Sequence, residues 1–127
     1  MLISFKEFKR KREIRKRRDK ILKEIGWTAK DAKEMLEQGW NLNVSIALVC
    51  YYSTKKMIDY GMSYPPECTP EEWKKILEQI NEGMKLYLEH DEWILDYTDD
   101  RVKYDEKKER VDKAIELVKE WFYTLWD

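Results

Sequence analysis

Tyr64-Pro65-Pro66-Glu67-Cys68-Thr69-Pro70-Glu71-Glu72-Trp73, running on through Lys74-Lys75-Ile76-Leu77-Glu78-Gln79-Ile80 to Leu88, is the stretch that decides the fold class. It reads as an extended lead-in followed by a helix start. Thr69 supplies a capping hydroxyl, Pro70 suits the first helical position, and Glu72 completes a Thr-x-x-Glu capping box. Trp73, Ile76, Leu77, Ile80, Met84, Tyr87 and Leu88 then recur with the 3.6-residue period of one apolar helix face. Pro65 and Pro66 keep the preceding connector, from Gly61 to Cys68, out of helix. The expected helix runs at least to His90, with Tyr97 as its furthest extent. Gly83 inside it predicts either close approach of a neighbouring helix or a tolerated surface position.

Working outward, the C-terminal segment predicts a second long helix after a turn at Asp96-Tyr97-Thr98-Asp99-Asp100. Its expected face is Tyr104, Val111, Ala114, Ile115, Val118, Trp121, Phe122, Leu125 and Trp126. Residues 41–60 are ambiguous. Leu42, Val44, Ile46 and Leu48 alternate like a strand, but the apolar run continues to Ile58 with no turn signal before Gly61. Its length favours a helix capped by Asn41 or Asn43, and an element apolar on most sides predicts the central helix of a bundle. Upstream, Thr28 caps a short helix over Ala29–Gln38, stopped by Gly39. Trp27 and Trp40 bracket it as expected anchors.

Residues 1–25 read as a helix ending at Gly26. Residues 1–24 hold 11 Lys/Arg against 4 Asp/Glu, a balance of +7; the remainder holds 14 against 22, a balance of −8, behind a chain total of −1. Eight of the ten residues from Lys9 to Arg18 are basic: Lys9, Arg10, Lys11, Arg12, Arg15, Lys16, Arg17 and Arg18. Three readings compete: a solvated helix, an arm for nucleic-acid phosphates or another acidic partner, and a basic amphipathic helix on a membrane surface. The arginines keep the second reading open, because guanidinium geometry matches phosphate and carboxylate.

The organisation expected is therefore all-α: a compact bundle of four to five helices within a single domain of 127 residues. The basic N-terminal helix occupies 1–26 and the bundle proper 27–127. Six Trp and eight Tyr are many for this length, and most of the Trp fall on helical apolar periods, as large rings filling a small core do.

Tyr64-Pro65-Pro66, Thr69-Pro70-Glu71-Glu72-Trp73 with Ile76-Leu77, Ile80-Asn81-Glu82-Gly83-Met84 and the ending Glu116-Leu117-Val118-Lys119-Glu120-Trp121-Phe122-Tyr123-Thr124-Leu125-Trp126-Asp127 together resemble a family of small uncharacterised bacteriophage and prophage proteins. The likeness runs from about Asn41 to the end, is weaker over 89–110, and does not reach the basic N-terminus. It implies a phage origin and a helical fold, and carries over no catalytic residues.

No catalytic constellation emerges. His90 is the one histidine and has no Ser or Cys motif beside it. His90 with Glu92, Asp96, Asp99 and Asp100 is a poor zinc pattern and lacks a calcium-loop spacing, so an acidic solvated helix end is the simpler reading. The four glycines are too scattered for a phosphate loop. No cofactor or metal is expected. Cys50 and Cys68 are isolated and read as free thiols of a reducing cytoplasm. Neither a secretory signal nor a membrane-spanning run is visible. The expected function is that of a non-enzymatic phage or prophage accessory protein in the bacterial host cytoplasm, binding a host or phage macromolecule and acting as an inhibitor. The alternative is nucleic-acid binding through Lys9–Arg18. Self-association through Trp121, Phe122 and Trp126 is compatible with either.

Overall fold

The computed structural model describes residues 4–39, 41–61, 63–89 and 101–125. Among them the chain is all-α, with five helices, α1 (Phe5–Lys23), α2 (Ala29–Gln38), α3 (Leu42–Tyr60), α4 (Pro70–Glu89) and α5 (Arg101–Glu120), then a short 3₁₀ turn at Phe122–Thr124. It divides into two units, Met1–Trp40 and Asn41–Asp127, so α2 groups with α1.

In the second unit α4 begins as its sequence dictates. The Thr69 hydroxyl accepts from the Glu72 N–H at 3.1 Å, and the Glu72 carboxylate accepts from the Thr69 N–H at 3.1 Å. Two of the orphan donors at the helix start are thereby satisfied. Trp73, Leu77, Ile80, Met84 and Leu88 are buried. α4 packs on α3 along one side and on α5 along another. The order of the contacts makes both pairs antiparallel: Asn43 meets Tyr87 and Asn81 meets Tyr51, while Trp73 meets Trp121 and Gly83 meets Ala114.

The middle helix is therefore α4, and the expectation that residues 41–60 form the central element is corrected. α3 buries Ala47, Leu48, Tyr51 and Thr54 against the bundle but leaves Leu42 70%, Ile46 50% and Val49 50% exposed. Asn41 does precede α3 directly, in a left-handed conformation at φ +56°, yet its side chain makes no capping hydrogen bond. Asn43, the other expected cap, instead donates to the Tyr87 hydroxyl.

Gly83 resolves to close approach. A Cβ there would lie 2.7 Å from the Arg110 carbonyl oxygen and would collide with the Ala114 methyl. Gly83 and Ala114 together let the α4 and α5 backbones meet. The buried face of α5 is Val111, Ala114 and Leu117, while Ile115 and Phe122 are exposed. The nine-residue face expected from sequence is thus too wide, and omits Leu117. At the end of the bundle where α4 starts, Cys68, Trp73 and Leu77 pack with Met57, Ile58, Ile76, Trp121 and Leu125. Trp73 and Trp121 meet edge to face with centroids 5.5 Å apart, a geometry aromatic quadrupoles favour.

In the first unit the Ser4 hydroxyl accepts from the Glu7 N–H at 3.2 Å and starts α1. The helix ends with a Schellman-type pair: the Gly26 N–H donates to the Lys23 carbonyl and the Trp27 N–H to the Leu22 carbonyl. Gly26 supplies the positive φ, +75°, that this ending needs. α2 carries a reciprocal capping box between Thr28 and Asp31 and stops at Gly39. None of its side chains is buried; Ala32 and Met35 are half-covered and Leu36 is exposed. Trp27 is half-covered, whereas Trp40, the turn expected at 96–100 and the extension of α4 towards Tyr97 lie outside the described residues. Among the described residues no helix is long and apolar enough to cross a membrane.

Candidate nucleic-acid interface

α1 contains 11 of the chain's 25 Lys and Arg residues. A capped helix of 19 residues is about 28 Å long. From Ser4 to Lys20 every side chain is exposed except Arg18, which is half-covered; only Ile21, Leu22 and Ile25, at the far end, are buried. The exposed length contains eight consecutive expected site residues interrupted by Glu13 and Ile14, and all of them lie on one continuous helix.

Two of the eight are internally compensated. Arg17 lies 4.0 Å from Glu13, and Arg18 3.1 Å from Asp19. Lys9, Arg10, Lys11, Arg12, Arg15 and Lys16 make no ion pair among the described residues. These six cations sit within eight positions, in solvent. Like charges so placed repel one another across i,i+3 and i,i+4 spacings and cost stability. The acidic residues of the helix, Glu7, Glu13 and Asp19, are too few to offset that cost in full.

Their angular arrangement follows from the helical repeat. Lys11, Arg15 and Arg18 fall on one side at i, i+4 and i+7, Lys9, Arg12 and Lys16 on a second, and Arg10 and Arg17 on a third, the three sides about 120° apart. The cations therefore surround the helix. Its exposed apolar residues do not form one stripe either, because Phe5 and Phe8 share a side while Ile14 points the opposite way, in line with Ile21 and Ile25. A helix lying on a bilayer needs its apolar residues on one face and its cations on the other. α1 has neither, and the membrane-surface reading falls.

A second surface, missed from sequence, lies wholly in the Asn41–Asp127 unit. Met84 and Tyr87 of α4 floor a groove walled by Ile46, Ala47 and Cys50 of α3 and by Val111, Ile115 and Val118 of α5, enclosing about 290 Å³. Its signal was present in the sequence: the thirteen residues from Leu42 to Thr54 include no charge, in a chain that is 40% charged. Such a run predicts a central position, whereas part of it lines an open groove.

Neither cysteine is a prepared nucleophile. Burial pushes the Cys50 thiol above its ordinary range. For Cys68 burial does the same, with Glu72, Glu67 and Glu120 adding to it. A thiolate is what reacts, so both environments suppress reactivity at neutral pH. Among the described residues no group of His, Cys, Asp and Glu is placed to hold a metal ion. His90, Glu92, Asp96, Asp99 and Asp100 lie outside them. The buried polar cluster that does exist joins two helices. The Asn81 amide donates to the Tyr51 carbonyl at 3.0 Å and to the Thr54 hydroxyl at 3.3 Å, and that hydroxyl donates to the Cys50 carbonyl at 2.7 Å.

Comparison with protein-family models, with curated proteins and with solved structures finds no match to this chain.

Proposed function

We propose that the protein is a phage or prophage accessory protein that works by binding a macromolecule rather than by catalysis, and that α1 takes nucleic acid. The observation that carries this reading is the set of six unpaired, solvent-exposed cations on one capped helix. A polyphosphate backbone relieves their mutual repulsion and releases its own condensed counterions on binding. Six phosphate contacts correspond to a loss of about a thousandfold in affinity between 50 and 200 mM salt. Fluorescence anisotropy of a labelled oligonucleotide across that salt range tests the reading. Replacing Arg12, Arg15 and Lys16 by Gln is expected to flatten the log–log salt slope by about 3. Absent or salt-independent binding eliminates it.

A protein partner on the α3–α5 groove is the second reading, favoured by the exposed, uncharged row of Leu42, Ile46 and Val49. A pull-down from host lysate with and without nuclease separates the two. A protein retained after nuclease treatment and lost on Ile46→Glu belongs to the groove; retention that disappears with nuclease belongs to α1.

A further inference from the structure

Resting on the reading of α1 as a nucleic-acid helix, we infer that its ligand is double-stranded DNA, engaged with α1 lying in the major groove and contacting phosphates on both flanks. The observation is the distribution of charge around the helix. Lys11, Arg15 and Arg18 form one row, Lys9, Arg12 and Lys16 a second and Arg10 with Arg17 a third, the three rows spaced about 120° apart around the helix. A ligand that lies against a single face, such as a bilayer or the flat side of an acidic protein, would leave at least one of these three rows in solvent. A major groove surrounds an inserted helix, with its floor on one side and a phosphate strand on each flank.

The dimensions agree. B-DNA's major groove is about 12 Å wide, and a helix with its side chains measures about 10–12 Å across. A-form RNA offers a deep, narrow major groove that does not admit a helix. A single strand would be held by a cationic track with several aromatic platforms, whereas the aromatic residues α1 exposes are Phe5 and Phe8, both N-terminal to the Lys9–Arg18 run.

The side-chain inventory sets the kind of recognition. Between Phe5 and Lys20 there is no Asn or Gln to read adenine, and most of the potential base readers are Arg and Lys, whose preferred base is guanine. Most contacts then go to phosphate, which positions the helix without specifying sequence. With the other two rows on the flanks, the third side, where Arg10 makes no ion pair among the described residues and Arg17 would have to exchange Glu13 for the ligand, meets the groove floor, where a guanidinium can meet guanine.

The experiment uses the full chain with three 20-nucleotide ligands of matched sequence: duplex DNA, duplex RNA and single-stranded DNA. Each is titrated by anisotropy at 50 mM salt, with dimethyl-sulfate protection of guanine N7 on the DNA duplex. The expected result is duplex DNA bound at least about tenfold tighter than either alternative, a scrambled duplex bound within a few-fold, and N7 protected. Lys9→Gln/Arg12→Gln/Lys16→Gln and Lys11→Gln/Arg15→Gln/Arg18→Gln are expected to weaken binding to similar extents, since each strips one flank; far-UV circular dichroism verifies that both variants stay helical. Preference for RNA or single strands, unprotected N7, or loss confined to one row overturns the major-groove inference and leaves α1 as a nucleic-acid helix. Failure to bind all three ligands at 50 mM salt removes both.

Discussion

α1 and α3 are both 19 residues long and could hardly differ more in composition. One carries eleven cations; the other opens with thirteen uncharged residues. Neither has the single apolar stripe that makes α4 easy to read. α4 is organised entirely by what it packs against, with buried residues at 73, 77, 80, 84 and 88. In α1 and α3 composition exceeds what packing within the chain uses. α1 has more charge than its own carboxylates offset, and α3 has more apolar surface than α4 covers. Those two surpluses mark the two candidate surfaces, and they would be invisible in a tally of helices.

The contrast can be broken first in α3, which should split sharply by face. Tyr51 is wholly buried, so Tyr51→Ala is expected to cost about 3–5 kcal/mol, as large aromatic truncations do, read by urea unfolding. If Tyr51→Ala costs less than Ile46→Glu, the inner and outer faces of α3 have been exchanged. Gly83→Ala tests the packing of α4 on α5. A helix interior gains about 1 kcal/mol from Gly→Ala in isolation, but the Ala114 methyl and the Arg110 carbonyl occupy that space. A net loss of about 1–3 kcal/mol is expected. Stabilisation instead would mean that α5 yields readily, and the α4–α5 contact would no longer contrast with the exposed surfaces.

The smallest effect lies in the unit that contains α1. Hydrogen bonds from the Thr28 backbone N–H and side chain hold the Asp31 carboxyl below its ordinary 3.8. Its folded-state value is the lower one, so its contribution is complete above about pH 4 and is lost as pH falls through the depressed value. The wild type should therefore lose more α2 helicity than Asp31→Ala between pH 4 and 2, by circular dichroism. Parallel titrations of the two chains would show that the capping box does not hold this helix.

Much of the fold was legible because local chemistry settles it. Thr69/Glu72 and Thr28/Asp31 mark helix starts by hydrogen bonds that span three residues, Gly39 marks a helix end by its left-handed φ, and these appear where the sequence places them. The basic run was legible too. Residues whose roles depend on a neighbour were not. Leu117 is buried and Ile115 exposed on the α5 that meets Gly83 through Ala114 and Arg110, and a period count alone does not say which side of α5 makes that contact. Asn81 is buried only because Tyr51 and Thr54 of α3 present it with two acceptors, and an isolated Asn in a helix pattern gives no hint of that.

Sequence by itself determined the helical class, the caps and stops, and the concentration of cations in the first twenty-odd residues, since all three follow from propensity, short-range hydrogen bonding and charge. Tertiary structure alone decided that α4 is the middle helix, that α3 keeps an apolar face beside a groove, and that six of the cations on α1 make no ion pair among the described residues. Those facts depend on which surfaces meet in three dimensions, and an apolar or basic residue reads the same in a sequence whether or not something covers it.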